Sequence, residues 1–502
     1  MLDKSLKNYL IALFGGLLAG LALIKANPIF MPISLFFLWS VRRSLSLSFL
    51  WGLIAVLVSH NWLLALHPID WIGVPLDLSL ILVISIWISC GLLGGILVSS
   101  WSLFGRITSY LLNRQNNRKI IYDENILFAL FLSVVWGIAE IFLSHSPFFW
   151  IGIGGSLLPG DRLLAGMSRL IGEGGLAAIQ LLFGWWIWRL FNTLLNKLEN
   201  RKLFYIGAIC LLILHLWGWL LLAPSQNKSK PIVPVAIWQP SIPIREKFSK
   251  DWENKLLNLL QTSLLKAKGS GAAFMVAPEG LLKANQKLLS PSPIPLLTGG
   301  FRRTQNELRS SLLVFETQEN SYSSVIDKHR LVPLGEYVPK FPGFNMKGLS
   351  AVGGIYPGEK SRFLNWSGPP LAIAICYELS DGNAIANAVL DGAESILSIA
   401  NLDPYPISLQ RQFLSLAQLR AIETNRDIII SANTGPSSLI KSNGLISNKI
   451  PAFKEGFAVF NLEINSTTTP YALFKDLPLF LIAFFSFVLL IFQQKVDKIF
   501  SY

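Results

Sequence analysis

The amino-acid sequence predicts a multi-pass α-helical membrane bundle with one α/β domain inserted before the last span. Two observations lead to this fold class. Hydrophobic residues make up 52% of the 502 residues and charged residues only 15%, which is less charge than a soluble chain of this length carries. The apolar residues are also unevenly placed. Long apolar runs fill residues 9–223 and recur at 477–493, whereas 224–475 has the composition of an ordinary globular domain.

Eight apolar runs are candidates for membrane-spanning helices. About 20 apolar residues are needed to cross roughly 30 Å of hydrocarbon, and the second run is shorter than this. The predicted spans are residues 9–26, 29–41, 45–66, 78–104, 126–145, 164–191, 203–223 and 477–493. We therefore expect three parts, with spans one to seven in 1–223, a globular domain in 224–475, and the last span and its tail in 476–502.

The placement of lysine and arginine predicts the orientation of the chain. Basic residues cluster at alternate ends of the apolar runs, and the loop 67–77 has none. Loops rich in Lys and Arg stay in the cytoplasm. Both termini are therefore expected there, with 224–475 on the periplasmic side of the cell (inner) membrane.

The net charge of +13 has the same explanation. The basic residues form short clusters beside apolar runs, whereas nucleic-acid binding would call for a basic stripe interleaved with aromatic residues. We therefore expect the lipid bilayer as a partner and no nucleic acid.

Within 224–475, short apolar and β-branched runs alternate with amphipathic stretches. The predicted strands are 232–238, 272–277, 295–298, 312–315, 371–375, 395–400, 427–431 and 456–462, and the predicted helices include 252–266 and 409–424. Strands that alternate with helices indicate a layered α/β domain. In open α/β sheets, ligands bind beyond the carboxyl ends of the strands.

Three motifs bring reactive side chains to this domain. Glu279 ends the apolar strand that begins at Phe274, Cys376 follows the strand 371–375, and Lys328 opens a polar segment between them. A cysteine with a pKa near ~8.5 needs a base to become a good nucleophile, and Glu279 could accept its proton. Attack on a carbonyl puts negative charge on oxygen, which Lys328 and a backbone N–H after Cys376 could stabilise.

Each of these residues also has a purely structural interpretation. A carboxylate at a strand end often caps backbone N–H groups, and a buried strand-end cysteine is often a packing residue. A Cys–His dyad is a rival arrangement, with His329 as the only histidine of 224–475. The combination of a carboxylate, a lysine and a cysteine, in this order on these elements, favours a catalytic set.

Two further carboxylates, Glu140 and Glu173, lie near membrane depth. Carboxylates within a membrane are costly and often functional. The simpler interpretation, which we favour, is that they lie near the interface or find partners within the bundle.

The three motifs resemble the carbon–nitrogen hydrolase (nitrilase) superfamily. Together with the spans, the chain resembles the membrane-embedded branch of that superfamily that acylates lipoproteins. The most specific segments are 330–339 and 375–378, while 420–435 and the region 136–150 of the membrane part are also similar. The resemblance covers nearly the full length. It implies an αββα sandwich for the globular domain.

The resemblance also implies a role for each motif residue. Glu279 would be the general base, Lys328 the transition-state stabiliser and Cys376 the nucleophile. The supporting residues would be Glu336, Tyr377 and Glu378, and Phe248 stands where the family has an aromatic residue near the mouth of the site. No cofactor and no metal is implied.

The reaction implied by the resemblance is acyl transfer in two halves. Cys376 would take a fatty acyl chain from a membrane phospholipid as a thioester. The N-terminal amine of a diacylglyceryl-cysteine in an apolipoprotein would then attack this thioester. A monomer is expected. Two other functions stay open, a membrane-tethered amidase that uses water and a non-catalytic scaffold that binds lipid or lipoprotein.

The chain departs from the family pattern at a few positions near the motifs. These are Ala277, Ser310, Ile326 and Phe413. The departures leave the three reactive groups intact but put substrate positioning in question.

The segment 341–356 combines apolar side chains with several glycines. Its apolar residues include Phe341, Phe344 and Met346, which we expect to contact substrate. Lipid-seeking side chains on a hinge-capable backbone predict a mobile, membrane-dipping lid over the site. An ordinary loop packed on the sheet is the alternative.

Overall fold

The computed structural model shows a helical bundle, two stacked β-sheets and a C-terminal helix. It describes the chain except for residues 1–3, 70–73, 115–121, 147–149, 196–200, 224–230, 244–245, 247–249, 306, 334, 338–353, 404 and 500–502. The predicted fold class is confirmed. The boundaries of the three predicted parts stay predictions, since the linker 224–230 lies outside the described residues.

The described part of the N-terminal bundle contains eight helices. They are α1 (Lys4–Lys25), α2 (Phe30–Val41), α3 (Leu45–Ser59), α4 (Leu76–Arg114), α5 (Ile126–Ser144), α6 (Arg162–Ala165), α7 (Ser168–Leu195) and α8 (Arg201–Leu222). Among the described residues, five helices are long and apolar enough to cross a membrane: α1, α4, α5, α7 and α8. Three shorter apolar helices, α2, α3 and Leu477–Gln493 at the C-terminus, accompany them.

The sixth predicted span is interrupted in the structure. The apolar run 164–191 contains the short α6 and then α7, and α7 is kinked at Gly172, whose φ is 64°. Glycine adopts this conformation without a steric penalty. A side chain there would also meet the ring of Tyr471, because a methyl group on Gly172 would lie 2.3 Å from its Cε2.

Glycines let the membrane helices approach each other closely. A methyl group on Gly52 of α3 would lie 2.5 Å from the carbonyl oxygen of Gly94 in α4. Likewise, a methyl group on Gly137 of α5 would lie 2.2 Å from the carbonyl oxygen of Gly174 in α7. Such small-residue contacts are a common way to pack membrane helices, and they fix the spacing of both pairs.

The globular part, as far as it is described, contains two six-stranded sheets. The strands are β1 (Ile232–Gln239), β2 (Phe274–Leu282), β3 (Leu296–Thr304), β4 (Glu307–Phe315), β5 (Ser324–Asp327), β6 (Phe363–Leu364), β7 (Leu371–Ile375), β8 (Ser395–Ala400), β9 (Ile428–Ala432), β10 (Ser438–Ile440), β11 (Ile446–Lys449) and β12 (Gly456–Glu463). The first sheet has the order β12-β1-β2-β3-β4-β5 and the second β11-β10-β9-β8-β7-β6. Strands β1 to β3 and strands β7 to β9 are parallel runs.

Five further helices follow the bundle in the described ranges. They are α9 (Lys250–Gly269), α10 (Gly382–Leu390), α11 (Ile407–Thr424), α12 (Pro470–Phe474) and α13 (Leu477–Ile499). Side chains of β1, β2, β7 and β8 share one apolar cluster between the sheets. Helix α9 covers the outer face of the first sheet, and α10 and α11 cover that of the second. The domain is therefore an αββα sandwich.

Helix α11 also faces the membrane bundle, so it lies between the second sheet and the spans. Arg169 of α7 makes several of the polar contacts at this junction. Its Nε donates to the Ile422 carbonyl (3.2 Å), and its Nη2 donates to Asn425 Oδ1 (2.7 Å) and to the Ser442 carbonyl (2.9 Å). A further bond goes to the carbonyl of Leu221 in α8. One side chain thus ties two spans to the domain.

We predict that Arg169→Gln loosens this junction. The shorter side chain leaves several oxygen atoms at the junction without a donor, the buried carbonyl of Ile422 among them, which should cost about 3 kcal/mol and lower the midpoint of thermal unfolding in detergent by about 5 °C. Arg411→Gln is the matched control, because Arg411 is exposed on α11. Equal midpoints for the two variants would contradict the assigned role of Arg169.

Candidate active site

Cys376 lies at the sharp turn that ends β7. The strand is fully buried, and a short 3-10 helix, Cys376–Ser380, begins directly after it. Cys376 has a φ of 53°, in the left-handed region that L residues other than Asn and Asp rarely adopt. The residue is half-buried. This turn therefore presents the thiol at the carboxyl end of the strand, as the sequence predicts.

Glu279 reaches the same place from β2 of the other sheet. Its Oε1 accepts a hydrogen bond from Lys328 Nζ (2.8 Å) and its Oε2 from the backbone N–H of Asn401 (2.9 Å). The thiol of Cys376 is hydrogen-bonded to the same carboxylate. A glycine at 299 is required here, because a methyl group on Gly299 would lie 2.3 Å from the Cα of Glu279.

Lys328, directly after β5, is only 1% exposed. Its Nζ lies between two carboxylates, 2.8 Å from Glu279 Oε1 and 2.7 Å from Glu336 Oε1. Burial disfavours the charged form, but the two carboxylates outweigh it and hold the pKa of Lys328 well above its usual value. Lys328 is therefore a fixed positive charge at neutral pH.

Glu336 completes the carboxylate pair around the lysine. Its Oε2 accepts a hydrogen bond from the backbone N–H of Val332 (2.8 Å), which folds the segment after Lys328 back on itself. Burial, reinforced by the charge of Glu279, raises the pKa of Glu336 although Lys328 opposes the shift. Glu279 and Glu336 share one cation, so removal of the Lys328 ammonium would take the ion-pair partner from both carboxylates.

Glu378 ties the lysine segment to the cysteine turn. Its Oε1 accepts hydrogen bonds from the backbone N–H groups of His329 (2.7 Å) and Arg330 (3.2 Å), and its Oε2 from that of Ile375 (2.9 Å). Arg362 Nη1, 2.9 Å away, supplies the opposite charge. One buried carboxylate thus fixes the residue before the thiol and the two residues after the ammonium.

Tyr377 is sandwiched between an aromatic ring and a cation. The ring of Trp150 stacks on it, with centroids 5.6 Å apart and an angle of 13° between the planes. The guanidinium carbon of Arg330 lies 4.6 Å from the centroid of the Tyr377 ring. The ring of Phe413, one of the departures from the family pattern, stacks in turn on the ring of Trp150.

The rival Cys–His dyad finds no support in the geometry. His329 Nδ1 lies 2.8 Å from the carbonyl oxygen of Gly358. The charges that act on the thiol of Cys376 come instead from Glu279, Lys328 and Glu336.

Sequence reasoning missed two residues of the loop after β8. The backbone N–H of Asn401 holds the Glu279 carboxylate, and Tyr405 lies close enough to interact electrostatically with Cys376. Burial, and then the charge of Cys376, raise the pKa of the Tyr405 hydroxyl, so it stays a neutral donor. Asn401 follows a buried parallel strand, as Cys376 does, and this signal could have found it.

The proposed substrate contacts stay predictions. Phe248, Phe341, Phe344 and Met346 lie outside the described residues, as does the predicted lid 341–356 apart from its last three residues. Within the part of the chain that is described, no group of three or more His, Cys, Asp or Glu side chains could hold a metal ion.

The fold and the site define a class, a multi-pass membrane protein whose αββα domain brings a thiol, a carboxylate and an ammonium together. Two curated relatives from Prochlorococcus marinus, both named apolipoprotein N-acyltransferase, match it along nearly the whole chain. The one from strain SARG is 51% identical over 94% of each chain, and the one from strain MIT 9313 is 47% identical, also over 94% of each. This chain belongs to the apolipoprotein N-acyltransferase family.

No family model matches the sequence. Among solved structures, a nitrilase-superfamily amidase from Nesterenkonia AN1 aligns with 51% of this chain and 98% of its own, at 14% identity and a TM-score of 0.37.

The protonation state of Cys376 gives a testable pH dependence. Burial, followed by the charge of Glu279, raises the pKa of the thiol above its ordinary range, although Lys328 opposes the shift. At neutral pH the group is therefore a neutral thiol. In a Cys90→Ser, Cys210→Ser background, where Cys376 is the remaining cysteine of the three, iodoacetamide should react slowly at pH 7. The rate should keep rising above pH ~9, past the ordinary pKa of ~8.5.

Mass spectrometry of the alkylated peptide measures this rate. The control is the same chain in denaturant, in which the rate should level off near the ordinary pKa. A folded-state rate that levels off below pH 8 would mean that the thiol is activated before substrate binds, contrary to the assignment.

Proposed function

We propose that this chain transfers a fatty acyl chain from a membrane phospholipid, through a thioester on Cys376, to the N-terminal amine of diacylglyceryl-cysteine in apolipoproteins. One observation carries the proposal. A buried ammonium, Lys328, and a carboxylate hydrogen-bonded to the thiol, Glu279, lie at the carboxyl end of the strand that presents Cys376. Membership of the family supports the choice of acceptor, and the attached membrane bundle suits substrates that live in the bilayer.

In the first half-reaction, Glu279 takes the proton of the Cys376 thiol as the sulfur attacks the ester carbonyl of the phospholipid. The carbonyl oxygen gains negative charge, which Lys328 stabilises together with the backbone N–H of Tyr377. When the intermediate collapses, the carbon–oxygen bond of the ester breaks. The proton held by Glu279 passes to the leaving oxygen, so a lysophospholipid departs and an acyl thioester remains.

In the second half-reaction, the amine of the lipoprotein attacks the thioester carbonyl. Glu279 accepts a proton from the amine and returns one to the departing sulfur, which restores the Cys376 thiol. An amide is more stable than a thioester, so this step runs downhill. A site that excludes water favours the amine over hydrolysis.

The supporting residues keep the reactive groups in place. Glu336 holds the ammonium of Lys328 from the side opposite Glu279, and Glu378 holds the backbone on either side of the site. Tyr377 carries the contact with Trp150 of the membrane part. These roles need no cofactor or metal, and one copy of the chain holds all the groups involved.

We further propose that 224–475 faces the periplasm and that both termini are cytoplasmic. The alternation of basic clusters along the spans supports this orientation. We predict that alkaline phosphatase fused after Lys230 is active and that the same reporter fused after Arg114 is inactive, since this enzyme folds only when exported. The reverse pattern would overturn the orientation. Whole-cell phosphatase assays of the two fusions decide between them.

The decisive prediction concerns the thioester. Incubation of the purified full chain with a phospholipid labelled in its acyl chain should attach label that hydroxylamine releases. Cys376→Ala should reduce this label by at least about 10³-fold, because the nucleophile is lost. The matched control is Cys210→Ala, since Cys210 is a membrane-helix thiol far from β7 in sequence. Equal labelling of Cys376→Ala and wild type would refute the proposed nucleophile.

The fate of the label separates the proposed function from its alternatives. With a diacylglyceryl-cysteine peptide present, an N-acyltransferase gives an N-acylated peptide. A membrane-tethered amidase gives no labelled peptide but hydrolyses an added small amide to a free acid, and a scaffold does neither. Mass spectrometry of the products distinguishes the three results.

A further inference from the structure

The membrane part contains a buried carboxylate, Glu140, that the proposed reaction does not use. It lies near the end of α5 and is 7% exposed. Its Oε1 accepts hydrogen bonds from the indole N–H of Trp136 (2.8 Å) and from the backbone N–H of Ile153 (3.0 Å). Ile153 belongs to residues 150–158, which we call the connecting segment because it leads from α5 towards α6.

The connecting segment is fitted closely against these membrane helices. A methyl group on Gly152 would lie 2.2 Å from Glu140 Oε2, so the carboxylate and the backbone of this segment are in close contact. Glu173 of α7 accepts a hydrogen bond from the N–H of Gly152 (3.3 Å), and Gln180 donates to the carbonyl of Ile153 (2.7 Å). Two membrane helices thus hold the backbone of one short segment.

The first residue of the connecting segment reaches the cysteine turn. Trp150 stacks on Tyr377, which directly follows Cys376 in the chain. Its indole N–H also donates to Gln412 Oε1 of α11 (2.9 Å). The segment therefore contacts Glu140 in its middle and the turn that presents the thiol at its start.

Burying a charged carboxylate in this position is unfavourable unless hydrogen bonds or a cation compensate for the lost hydration. Within the described residues, Glu140 Oε2 is buried without a hydrogen-bond partner. Glu173 has Arg420 at 2.7 Å, whereas no cation is paired with Glu140 among the described ion pairs. Burying an unpaired carboxylate oxygen costs more when the group is charged, so the neutral acid fits this environment. A glutamine would then be a close substitute, and a leucine would not.

We propose that Glu140 is a positioning residue for thioester formation: it holds the connecting segment, and Trp150 of that segment in turn holds the Cys376 turn. The inference rests on the proposed function, because it assigns Glu140 a part in that reaction. Glu140 does not touch the reacting atoms. It acts on them through the backbone at Ile153 and the ring of Trp150.

The physical reason lies in the conformation of the turn. Cys376 has a φ of 53°, which its surroundings must maintain. One support is Glu378, which accepts a hydrogen bond from the backbone N–H of Ile375, and a second is the ring of Trp150 stacked on Tyr377. A misplacement of a reacting group by about 1 Å can cost about 10²-fold in rate. Loss of Glu140 should therefore slow the chemical step and leave phospholipid binding nearly unchanged.

The test compares Glu140→Leu, Glu140→Gln and Trp150→Leu in the full chain. Thioester formation with acyl-labelled phospholipid in mixed micelles gives kcat and KM, and thermal unfolding gives stability. We expect Glu140→Leu to lower kcat about 10- to 100-fold, with KM within about threefold. Glu140→Gln should stay within about threefold of wild type, because it keeps the acceptor that Ile153 and Trp136 need.

A control separates positioning from a general loss of stability. Ser102→Ala removes another buried hydrogen bond of the bundle, from Ser102 Oγ to Ser48 Oγ (2.7 Å). It should lower stability without lowering kcat per folded molecule. Equal loss of kcat in Ser102→Ala and Glu140→Leu would make Glu140 a structural residue and overturn the proposal.

The double variant Glu140→Leu, Trp150→Leu tests whether Glu140 acts on the cysteine turn through Trp150. If Glu140 acts through Trp150, the double variant is no slower than Trp150→Leu alone. If the fold-losses in kcat of the two single variants multiply in the double variant, the two residues act independently, and the proposed action of Glu140 through Trp150 is refuted.

Gly152→Ala provides a second approach if Glu140→Leu does not fold, since its methyl group would overlap Glu140 Oε2 and disturb the contact between an intact Glu140 and the connecting segment. It should lower kcat in the same way, and a normal kcat would count against the proposal. A wild-type chain that forms no thioester would refute the proposed function and this inference together. A wild-type thioester with unchanged rates in Glu140→Leu and Gly152→Ala would refute the inference alone.

Discussion

The buried ammonium of Lys328 is the interaction on which the rest of the site depends. A lysine that is 1% exposed is unfavourable unless it is paired, and its partners, Glu279 and Glu336, come from β2 and from the segment after β5. Both belong to the first sheet or its edge, whereas Cys376 ends a strand of the second. The thiol and the ion pair therefore meet only when the two sheets are stacked, so the chemistry depends on the packing of the sandwich.

The packing on the outer face of the second sheet joins the domain to the membrane bundle. Helix α11 covers the second sheet with one face and meets the spans with another. Arg169 and Trp150 add directional bonds at this junction, to the carbonyl oxygen of Ile422 and to the side chain of Gln412, both within α11. Contacts of this kind fix an orientation that a flexible linker could not. A fixed orientation suits a reaction whose proposed substrates both arrive from the bilayer.

Local sequence signals were sufficient for most of the fold. Runs of about 20 apolar residues are rare outside membranes, and parallel strands buried on both faces are nearly continuous apolar runs, as in β7 and β8. The short strands β5, β6, β10 and β11 escaped prediction because they carry few apolar residues. The break between α6 and α7 and the kink of α7 at Gly172 escaped as well, since hydropathy is continuous along this run.

The sequence by itself determined the fold class, the apolar runs of the membrane part and the strand ends at Glu279 and Cys376, because hydropathy and periodicity are recorded along the chain. Only the tertiary structure decided which groups surround them. The bond from Asn401 to Glu279 joins residues 122 positions apart, and the bond from Trp150 to Gln412 joins residues 262 positions apart. Hydrogen bonds and ion pairs act over about 3 Å, so partners this distant in sequence become neighbours only when the sheets and the bundle have packed.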